Sequence, residues 1–262
     1  MENIEIPQLD ASKTIKKIEE FIKSRVESSG SSGIVLGLSG GIDSTLVAYL
    51  SQRALGAHNV LAIIMPSKTT PYEDLEHAKK VGKILGIEYE TIPIDHLLKF
   101  FPDLCPHTPN ELALANLKAR MRMMILYYHS NSLNRIVMGT GNLSELMVGY
   151  FTKYGDGGVD ILPIGDLYKT QVWKIAQALE VPKEIIEKPP AAGLWEGQTD
   201  EKELGIEYRV LDKILYLMFD ESITDDLVAK KINLPLKEIQ RIRKRVEYSQ
   251  HKICSPEILS LR

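Results

Sequence analysis

The chain of 262 residues is 44% hydrophobic and 26% charged, which is ordinary for a folded globular protein and excludes a disordered or collagen-like chain. Its 32 basic and 35 acidic residues leave a net charge of −3, which argues against gross nucleic-acid binding. Two isolated cysteines, Cys105 and Cys254, exclude a disulfide framework and a cysteine-rich zinc site. Because no signal-peptide pattern and no apolar run of membrane-spanning length occur, we expect a cytoplasmic protein without membrane contact.

The first half of the chain alternates between predicted helices and strands. Apolar residues at helical spacing predict a helix over 11–28, and short apolar runs predict buried strands over 34–38 and 60–65. The same patterns predict helices over 43–55, 72–86 and 109–130 and strands over 88–93 and 135–138. In the long helix 109–130 we assign these residues to the buried side: Leu112, Ala115, Met121, Met124, Ile125 and Tyr128.

Strands that alternate with helices indicate an α/β fold, in which a doubly wound parallel sheet has helices on both faces. Ligands bind beyond the carboxyl ends of the strands in such sheets. The loops that follow three of the predicted strands are therefore expected to open onto one site: 39–44, 66–72 and 139–145.

The pattern turns helical after residue 165. Helices are predicted over 168–180, 206–220, 222–232 and 235–252. We therefore expect one domain over 1–262, with an α/β nucleotide-binding core over 1–165 and a helical C-terminal part over 166–262.

The sharpest signal is the segment 38–44, which reads Leu-Ser-Gly-Gly-Ile-Asp-Ser between a predicted buried strand and a predicted helix. Its glycines allow close backbone approach, and the helix start presents amides and the positive end of the macrodipole, which together form an anion site. Asp43 repels a phosphate but can hold Mg²⁺ that bridges to one. The alternative is a glycine-rich turn whose Ser or Asp caps the helix. No Gly-Lys-Ser/Thr follows, so this is not a Walker A loop.

Further motifs narrow the interpretation. The loop resembles the SGGxDS loop of the ATP pyrophosphatases, which have a Rossmann-like sheet and cleave ATP between the α and β phosphates. Residues 139–145 read GTGNLSE, residues 149–162 read GYFTKYGDGGVDIL, and residues 166–171 read DLYKTQ. With 116–120 (NLKAR) and the pair His251-Lys252, these motifs resemble the ammonia-dependent NAD⁺ synthetases over residues 12–260.

The resemblance implies a ligase. In this family the carboxylate of nicotinic acid adenine dinucleotide attacks the α-phosphorus of ATP, pyrophosphate leaves, and ammonia displaces AMP from the acyl-adenylate to give NAD⁺. The family also implies a homodimer and small-molecule substrates only. Its larger members draw ammonia from glutamine with an extra amidase domain, and neither Cys105 nor Cys254 lies in a domain of that kind. We therefore expect ammonia itself to be the nitrogen source.

The motif match also implies the site residues. Mg²⁺ is expected on Asp43 and Glu145, and Asp43 and Lys169 are the expected catalytic residues. Ala191 is a departure, because the family usually has Ser or Thr there, with a hydroxyl that contacts ATP or metal. The expected ATP contacts are Gly37, Leu38, Ser39, Gly40, Gly41, Ile42, Asp43, Ser44, Thr140, Lys169 and Ala191. The expected dinucleotide contacts are Arg120, Lys153, Asp160, His251 and Lys252.

These assignments have plainer alternatives. Glu145 is alternatively a first-turn acid of a helix that begins at Asn142, and Lys169 is alternatively a solvated helix lysine. Arg120 lies on a basic helix face, and such faces are usually only solvated. Two other functions also stay open. One is another amide-forming or tRNA-modifying enzyme with an SGGxDS loop, and the other is a non-catalytic ATP-binding sensor.

Overall fold

Four parallel strands form the central sheet: β1 (Gly33–Gly37), β2 (Val60–Ile64), β3 (Glu88–Thr91) and β4 (Arg135–Met138). The computed structural model describes residues 6–191, 193, 195, 197 and 199–261. The strand order is β3-β2-β1-β4, and Ile34 of β1 lies beside Val60 of β2 and Ile136 of β4. The expected α/β fold with a parallel sheet is confirmed, and the strand order reverses its direction between β1 and β4.

The apolar runs of the two central strands are buried. Every residue of β2 is buried, and in β1 only Gly37 is partly exposed. Parallel strands that are covered on both faces have no polar side, and this is why these segments read as continuous apolar runs. The edge strand β3 is mostly exposed and correspondingly polar.

Helices connect and cover the strands. Most of them match the predicted segments closely, whereas the shortest ones lack a predicted counterpart because a single turn shows no periodicity. The helices are α1 (Ala11–Ser29), α2 (Ile42–Leu55), α3 (Tyr72–Leu85), α4 (Asp95–Leu98), α5 (Phe100–Leu104), α6 (Glu111–Leu133), α7 (Leu143–Val148), α8 (Lys169–Ala178), α9 (Lys183–Ile186), α10 (Asp200–Leu204), α11 (Tyr208–Leu215), α12 (Asp225–Ile232) and α13 (Leu236–Ile253).

The sheet separates two helical layers. Ile34 and Leu36 of β1 face one layer, in which residues of α1, α2, α3 and α8 form an apolar cluster. Val35 of the same strand faces the other layer, where it belongs to a cluster with Leu126 of α6. Successive side chains of a strand point to opposite faces, so the same strand contributes to both cores.

The predicted buried side of α6 is wrong at three positions. Leu112, Met124 and Tyr128 are exposed by 64%, 57% and 71%, whereas Ala115 and Met121 are buried as expected. Ile125 is partly buried against the sheet. The apolar residues of α6 are spread over all sides of the helix, so their spacing by itself does not define one core-facing side.

The C-terminal helices pack around an apolar cluster of their own. It includes Leu211 of α11, Val228 of α12 and Ile239 of α13, and Tyr168 joins it directly before α8. Helix α8 itself contributes Val172 to the apolar cluster on one face of the sheet. The start of α8 therefore lies where the two clusters meet, and the division at residue 165 stays a prediction. None of the described helices combines the length and apolar character that crossing a membrane requires.

Candidate active site

A cavity of about 660 Å³ opens at the carboxyl ends of β1, β2 and β4. Residues of the loops that follow these strands line it, as expected for the segments 39–44, 66–72 and 139–145. The cavity lies where the strand order reverses, which is where doubly wound sheets bind ligands. Of the expected ATP contacts, all but Gly40 line this cavity.

Hydrogen bonds within the loop after β1 fix its shape. The Ser44 hydroxyl is buried, donates to the Gly41 carbonyl at 3.1 Å and accepts from the Ser39 amide at 3.2 Å. The Ser39 hydroxyl accepts from the Gly41 amide at 3.2 Å. Helix α2 begins after Gly41, and no side chain caps it. The capped-turn alternative is therefore wrong, and the start of α2 keeps its capacity to bind an anion.

Gly40 is required by a close backbone approach. Its φ is +83°, and a Cβ atom at this position would lie 2.1 Å from the carbonyl oxygen of Asp74 in α3. Any side chain would therefore push the loop away from α3. Gly40 supports the loop from behind, while its neighbours face the cavity.

A lysine and two carboxylates form the charged centre of the site. The Lys169 side chain is 1% exposed, and its ammonium group donates to Asp43 Oδ2 and, at 3.3 Å, to Glu145 Oε1. Asn142 Nδ2 donates to Asp43 Oδ1 at 3.0 Å. The alternative of a solvated helix lysine is therefore wrong. Asp43 belongs to the first turn of α2, Glu145 to α7 and Lys169 to the first turn of α8, so three elements meet here.

The protonation of this centre follows from burial and charge. Burial alone lowers the pKa of Lys169, but the carboxylates of Asp43 and Glu145 outweigh it and raise the pKa above its ordinary value. Burial raises the pKa of Glu145, Lys169 opposes that rise, and the neighbouring Asp43 adds to it. Lys169 therefore stays charged, and its contact with Glu145 holds that carboxylate in place.

Glu145 serves two purposes with its two oxygens. Its Oε2 accepts from the Asn142 amide at 3.3 Å, and the Asn142 side chain accepts from the Glu145 amide at 3.0 Å. This reciprocal pair is a capping box that starts α7. The other oxygen, Oε1, faces Lys169. The capping alternative and the functional assignment are thus compatible.

Three of the expected dinucleotide contacts, Arg120, Lys153 and His251, are joined by hydrogen bonds but do not line the cavity. Arg120 Nη2 donates to the Lys153 carbonyl at 3.3 Å, and the Lys153 ammonium donates to the carbonyl of His251. Lys252, next along the chain, does line the cavity. Its ammonium donates to the carbonyls of Gly149 and Phe151 at 2.6 and 2.8 Å, so it anchors the loop after α7 to α13.

Asp160 lies apart from these residues. Its carboxylate accepts from the Val137 amide at 2.7 Å and from the Tyr127 hydroxyl at 2.9 Å. Asp160 thus joins the strand β4 to the helix α6, and it is not part of the cavity wall. The structure brings four of the five expected dinucleotide contacts together and leaves this one at the sheet.

The cavity, its glycine-rich loop and its lysine–carboxylate centre agree with the comparison to known proteins. The sequence pattern of NAD synthase matches residues 14–256. The chain belongs to the NAD synthase family. The NH(3)-dependent NAD(+) synthetase of Archaeoglobus fulgidus is 51% identical over 251 residues, which cover 95% of this chain and 97% of that one.

Two solved structures share the whole fold. The NMN synthetase from Francisella tularensis has a TM-score of 0.86 and 34% identity, and the match covers 97% of this chain and 100% of that chain. The NH3-dependent NAD synthetase from Campylobacter jejuni, in complex with the nitrate ion, has a TM-score of 0.82 and 34% identity over the same shares.

Several charged residues that line the cavity were not predicted as site residues, among them Arg122 and Asp200. Arg122 lines it, and its Nε donates to the Met65 carbonyl at 3.1 Å. Its spacing from Ala115 and Ala119, both on the buried side of α6, was a usable signal. Asp200 is 4% exposed and accepts from the Tyr208 hydroxyl at 3.3 Å, and burial raises its pKa. Nothing in the sequence around Asp200 indicated that it is buried.

The donor set fits a hard divalent cation. Mg²⁺ in nucleotide sites is usually held by one or two carboxylates together with phosphate oxygens and water. Asp43 and Glu145 provide two carboxylates that already share one cation, the Lys169 ammonium. The described residues contain no group of three or more histidine, cysteine or acidic side chains arranged to hold a metal by themselves.

Proposed function

We propose that this protein catalyses the ATP-dependent amidation of nicotinic acid adenine dinucleotide with ammonia, which yields NAD⁺, AMP and pyrophosphate through an acyl-adenylate. One observation carries the proposal: the buried Lys169 pairs with Asp43 and Glu145 directly beside an uncapped helix start. That arrangement suits a reaction in which negative charge builds up on a departing pyrophosphate.

The phosphates of ATP are the groups that this end of the cavity can hold. The first turn of α2 offers amides, and the exposed Ser39 adds a hydroxyl. Thr140, after β4, also faces the cavity. We infer that this loop holds the phosphates while Lys169 neutralises charge during pyrophosphate departure. When bound, Mg²⁺ on Asp43 and Glu145 would supply further positive charge to the phosphates.

The carboxylate substrate must approach ATP against charge repulsion. Arg122 and Lys252 line the same cavity and are positioned to attract an anionic substrate. The linked residues Arg120, Lys153 and His251 continue this basic side beyond the cavity wall. We infer that the dinucleotide extends along it. Positioning of the two substrates, rather than acid–base chemistry, would then supply most of the rate enhancement.

We also propose that the protein is a homodimer. Met124 and Tyr128 are exposed and lie one turn apart on α6, and exposed apolar surface of this kind marks interaction sites. A second copy that packs on this face would cover these two side chains. Analytical ultracentrifugation should show a dimer that Tyr128→Glu dissociates, and a wild-type monomer at micromolar concentration would refute the proposal.

The test of the reaction is a product balance. Protein incubated with Mg²⁺-ATP, ammonium and nicotinic acid adenine dinucleotide should release NAD⁺, AMP and pyrophosphate in equal amounts. Release of ADP and phosphate would refute the adenylate mechanism. Binding of ATP without turnover in the presence of all substrates would favour the sensor alternative.

The second substrate to test is nicotinic acid mononucleotide. This alternative is supported by the structural similarity to the NMN synthetase from Francisella tularensis, which has a TM-score of 0.86. The sequence favours the dinucleotide, because the Archaeoglobus fulgidus NAD(+) synthetase is 51% identical. The comparison of kcat/KM for both acids decides between them.

A further inference from the structure

A buried carboxylate behind the charged centre links the two helices that carry Lys169 and Glu145. Asp212 of α11 is 0% exposed and does not itself line the cavity. Its Oδ1 accepts from the Ser144 hydroxyl at 2.5 Å, and its Oδ2 accepts from the Thr170 amide at 2.8 Å. Ser144, also 0% exposed, accepts in turn from the Lys169 amide at 2.9 Å.

These hydrogen bonds satisfy the start of α8. The first amides of a helix have no partner within the helix and need one from elsewhere. Tyr168, which precedes α8, cannot cap it as a serine or aspartate would. Asp212 and Ser144 provide the two acceptors instead. The negative charge of Asp212 at the N-terminus of α8 also interacts favourably with the helix dipole. The cap of α8 is therefore supplied by other helices.

The same contacts fix the neighbours of the reacting groups. Thr170 follows Lys169 in the first turn of α8, and Ser144 precedes Glu145 in the first turn of α7. One carboxylate thus holds both turns in a fixed relation. In this arrangement the ammonium of Lys169 contacts both Asp43 and Glu145.

We propose that Asp212 is a positioning residue, which acts through Ser144 and the start of α8 to hold Lys169 against Asp43 and Glu145. The proposal rests on the function proposed above. Misplacing a reacting group by about 1 Å lowers rates by up to about 10²-fold, so an effect on turnover is expected without any contact between Asp212 and a substrate.

The test is Asp212→Asn, which keeps the shape of the side chain. An asparagine has one acceptor oxygen where the carboxylate has two, so the Thr170 amide and the Ser144 hydroxyl cannot both be accepted in the same geometry. We expect kcat to fall about tenfold or more, while the KM for ATP changes less than about threefold. Ser144→Ala breaks the same link at its other end and should act in the same direction. It also keeps the proposal testable if Asp212→Asn fails to fold.

The control is Val228→Ala, which truncates a fully buried side chain of the same C-terminal core that does not line the cavity. At a temperature where all variants are folded by circular dichroism, the control should keep kcat within about twofold of wild type. Equal losses of kcat in the control and in Asp212→Asn would show a merely structural role and overturn the proposal.

A double-mutant cycle with Lys169→Met identifies the route of action. The cycle is measured in kcat, and the KM for ATP of each variant is measured beside it. If Asp212 acts through Lys169, then Asp212→Asn lowers kcat while Lys169 is present and has little further effect on kcat once Lys169 is replaced. If the two substitutions act independently, so that their fold-changes multiply in the double variant, the proposal is overturned. Absence of NAD⁺ formation by the wild type would instead refute the proposed function, so the two failures are distinguishable.

Discussion

The charge of Lys169 is expected to stabilise the fold as well as the reaction. The substitution Lys169→Met keeps the length of the side chain and removes its charge. The Lys169 side chain is 1% exposed, and its ammonium contacts Asp43 and Glu145, whose side chains are 17% and 16% exposed. Removing one partner of such a buried group leaves uncompensated charge, which typically costs about 3–5 kcal/mol of unfolding free energy.

A pH dependence distinguishes this cause from lost packing. Burial raises the pKa of Glu145, and Lys169 opposes that rise, so the pKa should rise further in the variant. A raised pKa in the folded state means that the folded protein binds protons more readily than the unfolded chain. The contribution of this group to the free energy of unfolding therefore decreases as the pH rises. The deficit of Lys169→Met should therefore shrink as the pH falls towards 4.5, the ordinary pKa of a glutamate.

The assay is urea unfolding followed by circular dichroism at several pH values, together with NAD⁺ formation at saturating substrates. Lys174→Met is the matched control, because Lys174 is an exposed residue of the same helix. Turnover of Lys169→Met should fall at least about 10²-fold, as for other groups that stabilise developing charge. A stability loss no larger than that of Lys174→Met, or a deficit independent of pH, would refute the reasoning.

Four further outcomes are expected. Asp43→Asn should lower turnover by about 10²–10³-fold, and near-wild-type turnover at saturating Mg²⁺ would contradict this. Its effect on the free energy of unfolding should be small, because Asn142 can still donate to the remaining oxygen. Gly40→Ala should weaken ATP binding and lower the unfolding midpoint, because its Cβ would lie 2.1 Å from the Asp74 carbonyl oxygen; unchanged values in calorimetry and urea unfolding would count against it. At fixed total ammonium the rate should rise with pH, because only ammonia has a lone pair, and equal rates with glutamine as sole nitrogen source would show that ammonia is not the required donor. Ala191→Ser should change the KM for ATP by no more than about twelvefold, since a neutral hydrogen bond contributes about 0.5–1.5 kcal/mol; a hundredfold gain in kcat would instead mean that the natural chain is impaired.

Local sequence determined the sheet and the position of the cavity. Continuous apolar runs predicted β1 and β2 because strands covered on both faces have no polar side. The alternation of strands and helices then placed the loops after β1, β2 and β4 at one edge, and the structure confirms this. The SGGIDS segment also predicted Asp43 next to a helix start, because that signal lies within a few adjacent residues.

Tertiary structure decided which charged residues share an environment. The sequence did not show that Lys169 is buried or that it lies between Asp43 and Glu145, because 126 and 24 positions separate Lys169 from these two residues. The sequence also did not show that Leu112 and Met124 on α6 are exposed. Apolar residues lie on all sides of that helix, and only its packing partners determine which side is buried.

The cap of α8 shows the same division. Sequence reasoning finds a cap in the residues beside a helix start, and the residue there is Tyr168. The actual acceptors are Ser144 and Asp212, of which Asp212 lies 42 positions along the chain from the Thr170 amide that it accepts. A hydrogen bond depends on distance and direction in space, and only the packing of α11 against α7 and α8 provides both.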